Sequence, residues 1–423
     1  MTKLRVAVFL PSDHLGMWSW TDVAAGRLAA SGTDGQILAL AQRLSNRGDV
    51  TLLPLFCGSL PAEPPAGARA VGDLAEAAGA AADWNADVIL FIERADDPTR
   101  AGIATCEQRG LRAVAWAHNG PYGKDRDLLA RTATVRRVVC VSQPHADLLR
   151  HKAVFDKVAV INNSLLVPTA NANDVERDGA AVCFLGATVF EKGFHHLVRA
   201  WPTVRAAEPS ATLTIFGSAL LYDRTRSTGP LGLGLADFES TYVAPVWGTD
   251  ADRLAAEHGV RVAGLVKPAE LSSALQQFAV AVVNPWASRN GSVETFCVSA
   301  IEAAAAGCAV IGGRRLGLTE TVRNRKTGIL IRDEDALAGA IVDLIVNPER
   351  AATLGQAGRD WAPQRFSTAR ADDAWMALLR DVAADRPARP PRLALSRLDL
   401  RTAVRQAIRF SRFPRRLVSG AGL

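Results

Sequence analysis

The densest group of reactive residue types lies at 284–302, Asn-Pro-Trp-Ala-Ser-Arg-Asn-Gly-Ser-Val-Glu-Thr-Phe-Cys-Val-Ser-Ala-Ile-Glu. An apolar run leads into it, a polar glycine-containing loop follows, and a small-residue helix is expected to run on through four alanines to Gly307. Such a loop presents free backbone N–H groups at a helix N-terminus, which suits a diphosphate. Glu294 and Glu302 stand eight residues apart. Along a helix that is about 12 Å, with both carboxylates within roughly 80° of one face. An extended nucleotide-sugar fits between them, Glu294 accepting sugar hydroxyls and Glu302 ribose hydroxyls. A capping carboxylate plus an exposed helix glutamate fits the spacing equally well.

Other groups are weaker. His118 closes the apolar run 113–117, where a histidine serves structure as readily as a cleft, and His195 and His196 read as a solvated helix face. Asp-x-Asp occurs at 125/127, 250/252 and 333/335. Such pairs hold divalent cations when they follow an apolar strand. The first two sit in polar loops, and the third opens a helix, where capping explains it. There is no G-x-x-x-x-G-K-[ST], G-x-S-x-G or H-E-x-x-H. Trp18, Trp20 and Trp286 suit either a sugar face or packing. The six cysteines form no C-x-x-C and mostly sit in apolar runs, as expected of buried thiols in a reducing cytosol.

The elements that must position these residues alternate along all 423 residues. Strands are expected at 4–10, 51–56, 87–93, 112–117, 136–142 and 158–162, then at 181–186, 211–216, 260–264, 279–284, 308–312 and 328–332. Several are apolar on both faces, as in parallel sheets covered by helices on each side. Helices are expected at 36–46 and 143–151, and near 193–206, 269–278, 296–306, 334–346, 348–360 and 368–384. The polar stretch 164–179 interrupts the rhythm and reads as a linker. Residues 219–257, with Gly229, Gly232 and Gly234, read as an irregular insertion, either a lid or a decoration. The fold class is therefore α/β, with two doubly wound Rossmann-like domains facing a cleft. No apolar run is long enough to span a membrane.

Charge is unevenly placed. The net +6 hides a tail, 387–423, with nine arginines against Asp399, which leaves the first 386 residues slightly acidic at −2. That argues against nucleic acid as the ligand of the body. Arg397, Arg401, Arg405 and Arg409 recur every four residues beside Leu400, Val404 and Ile408. A basic amphipathic helix within 393–417 could lie on an anionic membrane, which would place a cytoplasmic protein on the inner face; a docked or disordered tail is the plainer reading.

One ordered series ties the motifs together. Glu294 and Glu302 are followed by Gly307-Cys308-Ala309-Val310-Ile311, by Gly317-Leu318-Thr319-Glu320-Thr321-Val322, and by Thr327-Gly328-Ile329-Leu330. This closely resembles the donor domain of the retaining GT-B glycosyltransferases of family 4, with their E-x7-E, A-G-x-x-V, G-x-x-E and T-G-x-L pattern. Gly186 through Lys192-Gly193 resembles the family's diphosphate loop. The run ending at His118, Cys140-Val141-Ser142 and 160–163 resemble its first-domain motifs. The likeness covers about residues 3–384.

The resemblance implies an acceptor domain at 1–168, a linker at 169–179, a donor domain at 180–365, a returning helix at 366–386 and the tail at 387–423. It implies transfer of a sugar from a nucleoside diphosphate, with uridine as the default base. Anomeric configuration would be retained, with no metal or other cofactor. The acceptor would be a saccharide, lipid-linked sugar or small molecule, as in polysaccharide or glycoconjugate biosynthesis. Glu294, His118 and Lys192 would carry the reaction. Gly35, Gly186, Lys192, Leu265, Val266, Glu294, Thr295, Phe296, Cys297 and Glu302 would hold the donor, with Arg289 supporting the diphosphate. Three departures stand out: Ala187 replaces the family's diphosphate Arg, and Asn163 and Thr295 replace common glycines. A GT-B sugar-nucleotide 2-epimerase and a catalytically degenerate nucleotide-sugar-binding subunit are the alternatives.

Overall fold

Apolar residues on both faces of most strands dictate sheets buried from both sides, and the computed structural model contains two of them. It describes residues 3–10, 18–167, 177–221, 226–288 and 294–388. Arg289 and the expected membrane helix at 393–417 lie outside the described residues.

The first sheet comprises β1 (Leu4–Leu10), β2 (Val50–Cys57), β3 (Arg69–Val71), β4 (Val88–Glu93), β5 (Ala113–Ala117), β6 (Val135–Cys140) and β7 (Val158–Val160). The second comprises β8 (Asp178–Leu185), β9 (Thr212–Phe216), β10 (Val260–Gly264), β11 (Phe278–Val283), β12 (Ala309–Gly313) and β13 (Gly328–Ile331). All pairings between them are parallel, in the orders β3-β2-β1-β4-β5-β6-β7 and β10-β9-β8-β11-β12-β13. Each order reverses direction beside its first strand, and ligands of such sheets bind beyond the strand ends at that reversal.

Several boundaries differ from expectation. The first long helix starts at Gly32, not Gln36, because the Ser31 side chain accepts the Asp34 N–H and caps it. Gly35 therefore lies inside the first turn. The expected helix 143–151 is regular only over Gln143–Asp147. Strand β8 opens at Asp178, inside the expected linker. The insertion is not irregular throughout: from Ala236 to His258 it is a chain of short helical pieces. Its glycine-rich turn wraps the buried carboxylate of Glu239, which accepts backbone N–H groups from Leu231, Leu233 and Gly234 at 2.8, 2.6 and 2.8 Å.

The helix expected at 296–306 runs from Val298 to Ala305, with Cys297 as its cap residue. Glu294 is thus in the loop ahead of it, and the one-face helical geometry for Glu294 and Glu302 does not hold. Tertiary bonds keep the loop out of the helix. The Glu294 carbonyl accepts from Gly317 N at 2.8 Å and the Thr295 carbonyl from Ser142 Oγ at 2.6 Å.

The chain crosses between domains twice. After β13 the helices Ala336–Ile345 and Pro348–Arg365 cover the second sheet, and Thr368–Ala383 returns to the first. There Trp375 packs edge-on against Trp116 of β5, ring centroids 4.6 Å apart. Arg43 holds Asp372 through a salt bridge at 2.8 Å. One apolar core includes Trp116, Trp375, Phe296 and Phe366, and so spans both domains.

Candidate active site

Two contiguous cavities lie between the domains at the strand ends. The larger, about 470 Å³, is lined from the first domain by Ser31, Gly32, Thr33, His118, Asn119 and Asn163. From the second domain it takes Gly186, Ala187, Lys192, Asn284, Glu294, Thr295, Phe296 and Cys297, among others. The smaller, about 140 Å³, is lined by Gly35, Leu265, Val266 and Glu302, and shares Gly32, Gly186, Val298 and Ser299 with the larger. Every sequence-derived site residue except Arg289, which is not described, therefore lines one of two adjoining spaces. Asn284 carries no role in the sequence reading, whereas Ser31 and Thr33 belong to the loop 12–34 expected on the acceptor side. Ser31-Gly32-Thr33-Asp34 carries a readable helix-start pattern, serine followed three residues on by an acid.

The glycines explain how close the walls come. Gly217, at φ +146°, has no room for a side chain: a Cβ there would sit 1.9 Å from the Gly186 carbonyl. Gly193 adopts a left-handed φ of +67° against Trp286, directing the chain from Lys192 into the helix Phe194–Ala207. Residues beyond β8 and β9 are thus packed backbone to backbone, with Gly186, Ala187 and Lys192 on the cavity wall.

Lys192 Nζ donates to Glu294 Oε2 at 2.7 Å, and Asn284 Nδ2 donates to the same oxygen at 3.0 Å. Glu294 is buried, and the Lys192 side chain is 27% exposed. Among the described residues, Lys192 is the one Lys or Arg lining either cavity. Arg314 and Arg315, which follow β12, line neither cavity. Arg314 is exposed, and Arg315 turns its guanidinium to the Ser288 carbonyl.

Burial governs the other titratable groups. His118 is pushed down to about 3 by desolvation, with His145 adding to the shift and Asp34 opposing it. It is neutral at physiological pH, and its Nε2 has no partner. His145 is held neutral in the same way, at about 4, donating from Nε2 to the Gly120 carbonyl at 2.6 Å. Glu302, half-buried, is raised from 4.5 to about 7 by desolvation. Glu93, at the end of β4, is also raised to about 7, by burial and then by Asp125 and Asp96.

Motifs outside the cavities are accounted for by structure. Asp250 accepts from Asp252 N and Arg253 N, Asp333 from Ala336 N, and Asp125 pairs with Arg100. His195 is buried, not on a solvated face, stacked on Phe190 at 4.4 Å and edge-on to Trp286. Trp18 and Trp20 pack against Phe56 in the core. Among the described residues no cluster of three or more His, Cys, Asp or Glu could hold a metal, and no helix is long and apolar enough to cross a membrane.

Two facing doubly wound domains with a cleft at their strand ends define the GT-B fold. Residues 170–361, less than half of the chain, match the model of the family described as Glycosyl transferases group 1. It is 34% identical over 203 residues to a GDP-mannose-dependent alpha-(1-6)-phosphatidylinositol monomannoside mannosyltransferase of Mycolicibacterium smegmatis, covering 46% of this chain and 47% of the relative. A Mycobacterium tuberculosis glycogen synthase is 28% identical over 203 residues, covering 45% and 41%. The chain thus spans under half the length of these curated relatives. In three dimensions it is similar to sucrose-phosphate synthase of Thermosynechococcus elongatus, with a TM-score of 0.67, 19% identity and coverage of 90% and 100%. It is also similar to Anabaena HepE, solved with UDP-glucose, at 0.61, 15%, 89% and 100%. At these identities the likeness is one of fold.

Proposed function

We propose that the protein is a glycosyltransferase that moves a sugar from a nucleoside diphosphate to a hydroxyl acceptor, with retention and without a metal. The observation that carries this is the Lys192–Glu294 pair on the cavity wall. A diphosphate arriving beyond β8 would compete with Glu294 for Lys192, and a released Glu294 would accept sugar hydroxyls. Lys192 and backbone N–H groups would then stabilise the negative charge that develops on the leaving phosphate. The acceptor oxygen would bond to the anomeric carbon on the face the diphosphate leaves. The departing phosphate oxygen would take the acceptor's proton, so the neutral His118 orients a substrate hydroxyl and need not act as a base. The base of the nucleotide would lie in the smaller cavity against Leu265 and Val266, with the ribose at Glu302. The acceptor would be a saccharide or lipid-linked sugar on the first-domain side.

Uridine is the default base. The names of the 31–34% identical relatives, GDP-mannose-dependent enzymes, favour guanosine as the second reading. Thermal-shift screening of UDP-, GDP- and ADP-sugars, followed by turnover in excess chelator, tests the whole proposal. One base should stabilise the fold selectively and one donor should turn over without metal. Strict metal dependence would overturn the metal-free route. Selective binding with no transfer to any acceptor would instead support a binding subunit, a reading favoured by Ala187. A new sugar-nucleotide formed from donor alone would reveal an epimerase.

A further inference from the structure

Thr295 does not behave as one more donor contact. Its hydroxyl donates to the His118 backbone carbonyl in the first domain, and its own carbonyl accepts from Ser142 Oγ, also in the first domain, at 2.6 Å. His118 and Ser142 follow the adjacent strands β5 and β6. The peptide next to Glu294 is therefore held to the ends of both strands. It is backed from the other side by the turn Gly317–Glu320. Gly317 N donates to the Glu294 carbonyl, and a Cβ on Gly317 would lie 2.2 Å from the Thr295 carbonyl, so the turn and the peptide are in contact. That turn also reaches the first domain. Glu320 accepts from Gln143 N at 2.7 Å and from Asn162 Nδ2 at 2.9 Å, while Arg365 holds it at 3.2 Å.

We propose that Thr295 is a positioning residue that sets the distance between Glu294 and His118, and with it the closed arrangement of the two domains. This rests on the glycosyltransferase reading of the cavity. The physical reason is leverage. Glu294 and His118 come from different domains, so any rocking of one domain separates them. The hydroxyl of Thr295 acts one residue from Glu294 and on the backbone of His118 itself. Thr295 is 4% exposed and His118 5%, so water does not readily replace this bond. A glycine here would leave Glu294 in place but remove the hydroxyl that reaches across. Ser142 is the poorer handle for a test, because its Oγ also caps the helix Gln143–Asp147 by accepting from His145 N.

The experiment compares Thr295→Val, which keeps the shape and loses the donor, with Thr295→Ser, which keeps the donor. In Thr295→Val, kcat should fall about tenfold, corresponding to about 1.4 kcal/mol. Affinity for the free nucleoside diphosphate should stay within about twofold, because Leu265, Val266, Glu302 and Lys192, proposed to hold base, ribose and diphosphate, all lie in the second domain, whereas Thr295 reaches His118 and Ser142 in the first. Thr295→Ser should recover most of the rate. Small-angle scattering of the full chain, which needs no turnover, should show a larger radius of gyration for Thr295→Val than for wild type. Wild-type kcat and an unchanged radius in Thr295→Val would overturn the proposal. So would a fall in nucleotide affinity as large as the fall in kcat, since that is the mark of a donor contact. Absence of wild-type turnover on every donor would count against the glycosyltransferase reading instead, and the scattering comparison would still decide the role of Thr295.

Discussion

The two walls of the cleft handle charge in opposite ways. On the first-domain wall burial has removed it: His118 is neutral well below pH 7, as is the buried His145 that acts on it from outside the lining. On the second-domain wall a full positive and a full negative charge are kept side by side in Lys192 and Glu294. A sugar acceptor is neutral at its reacting hydroxyl, whereas a departing diphosphate gains charge as the bond breaks. The contrast suggests that one wall shapes and the other stabilises.

The largest effects should therefore come from the second wall. Glu294→Ala, which loses the hold on the sugar hydroxyls and the carboxylate beside Lys192, should lower kcat/KM by up to about 10³-fold, and Lys192→Ala should lower kcat by about 10²-fold, the size seen when one group stabilising a developing charge is removed. Steady-state kinetics reads both, with circular dichroism confirming that the fold survives. Near-wild-type rates in either variant would erase the contrast.

Glu302 offers a finer test. Its carboxyl, raised to about 7, is ionised above that pH and protonated below it. If it accepts ribose hydroxyls, nucleoside diphosphate affinity should weaken by up to about tenfold per pH unit below 7. Isothermal titration between pH 6 and 8 should show this for wild type and show it reduced in Glu302→Gln.

The smallest effect concerns stability of the first wall. Glu93 is raised from 4.5 to about 7, so the folded state holds its proton more tightly than the unfolded state. Its favourable contribution is fully present below about pH 4.5 and is lost as pH rises through about 7. At pH 8 Glu93→Gln should be more stable than wild type by up to about 1 kcal/mol, read as a higher thermal midpoint. The difference should shrink or reverse at pH 4.

The sheets were legible because their signal is local. A run such as Val88-Ile89-Leu90-Phe91-Ile92 is buried throughout and has no other sensible place. Strand β3 escaped because it is three residues long and opens on exposed Arg69 and Ala70. The site residues were legible as members of motifs, but their geometry was not. Helical spacing for Glu294 and Glu302 failed because Gly317 and Ser142 take up the loop's carbonyls from distant parts of the chain. The insertion misled for a related reason: its glycines are ordered by Glu239, which glycine content alone does not reveal. The role of Thr295 was invisible for the same reason, since its partners are 153 and 177 residues away.

The double crossing between domains has a mechanical consequence. A body joined to another by one strand of chain can swivel freely about it. Here the outgoing and returning chains run together, Leu165 N donating to the Phe366 carbonyl at 2.9 Å. Two connections tied to each other restrain twisting of the second domain against the first more than either connection would alone, which favours one fixed face of the opposing sheet for Glu294.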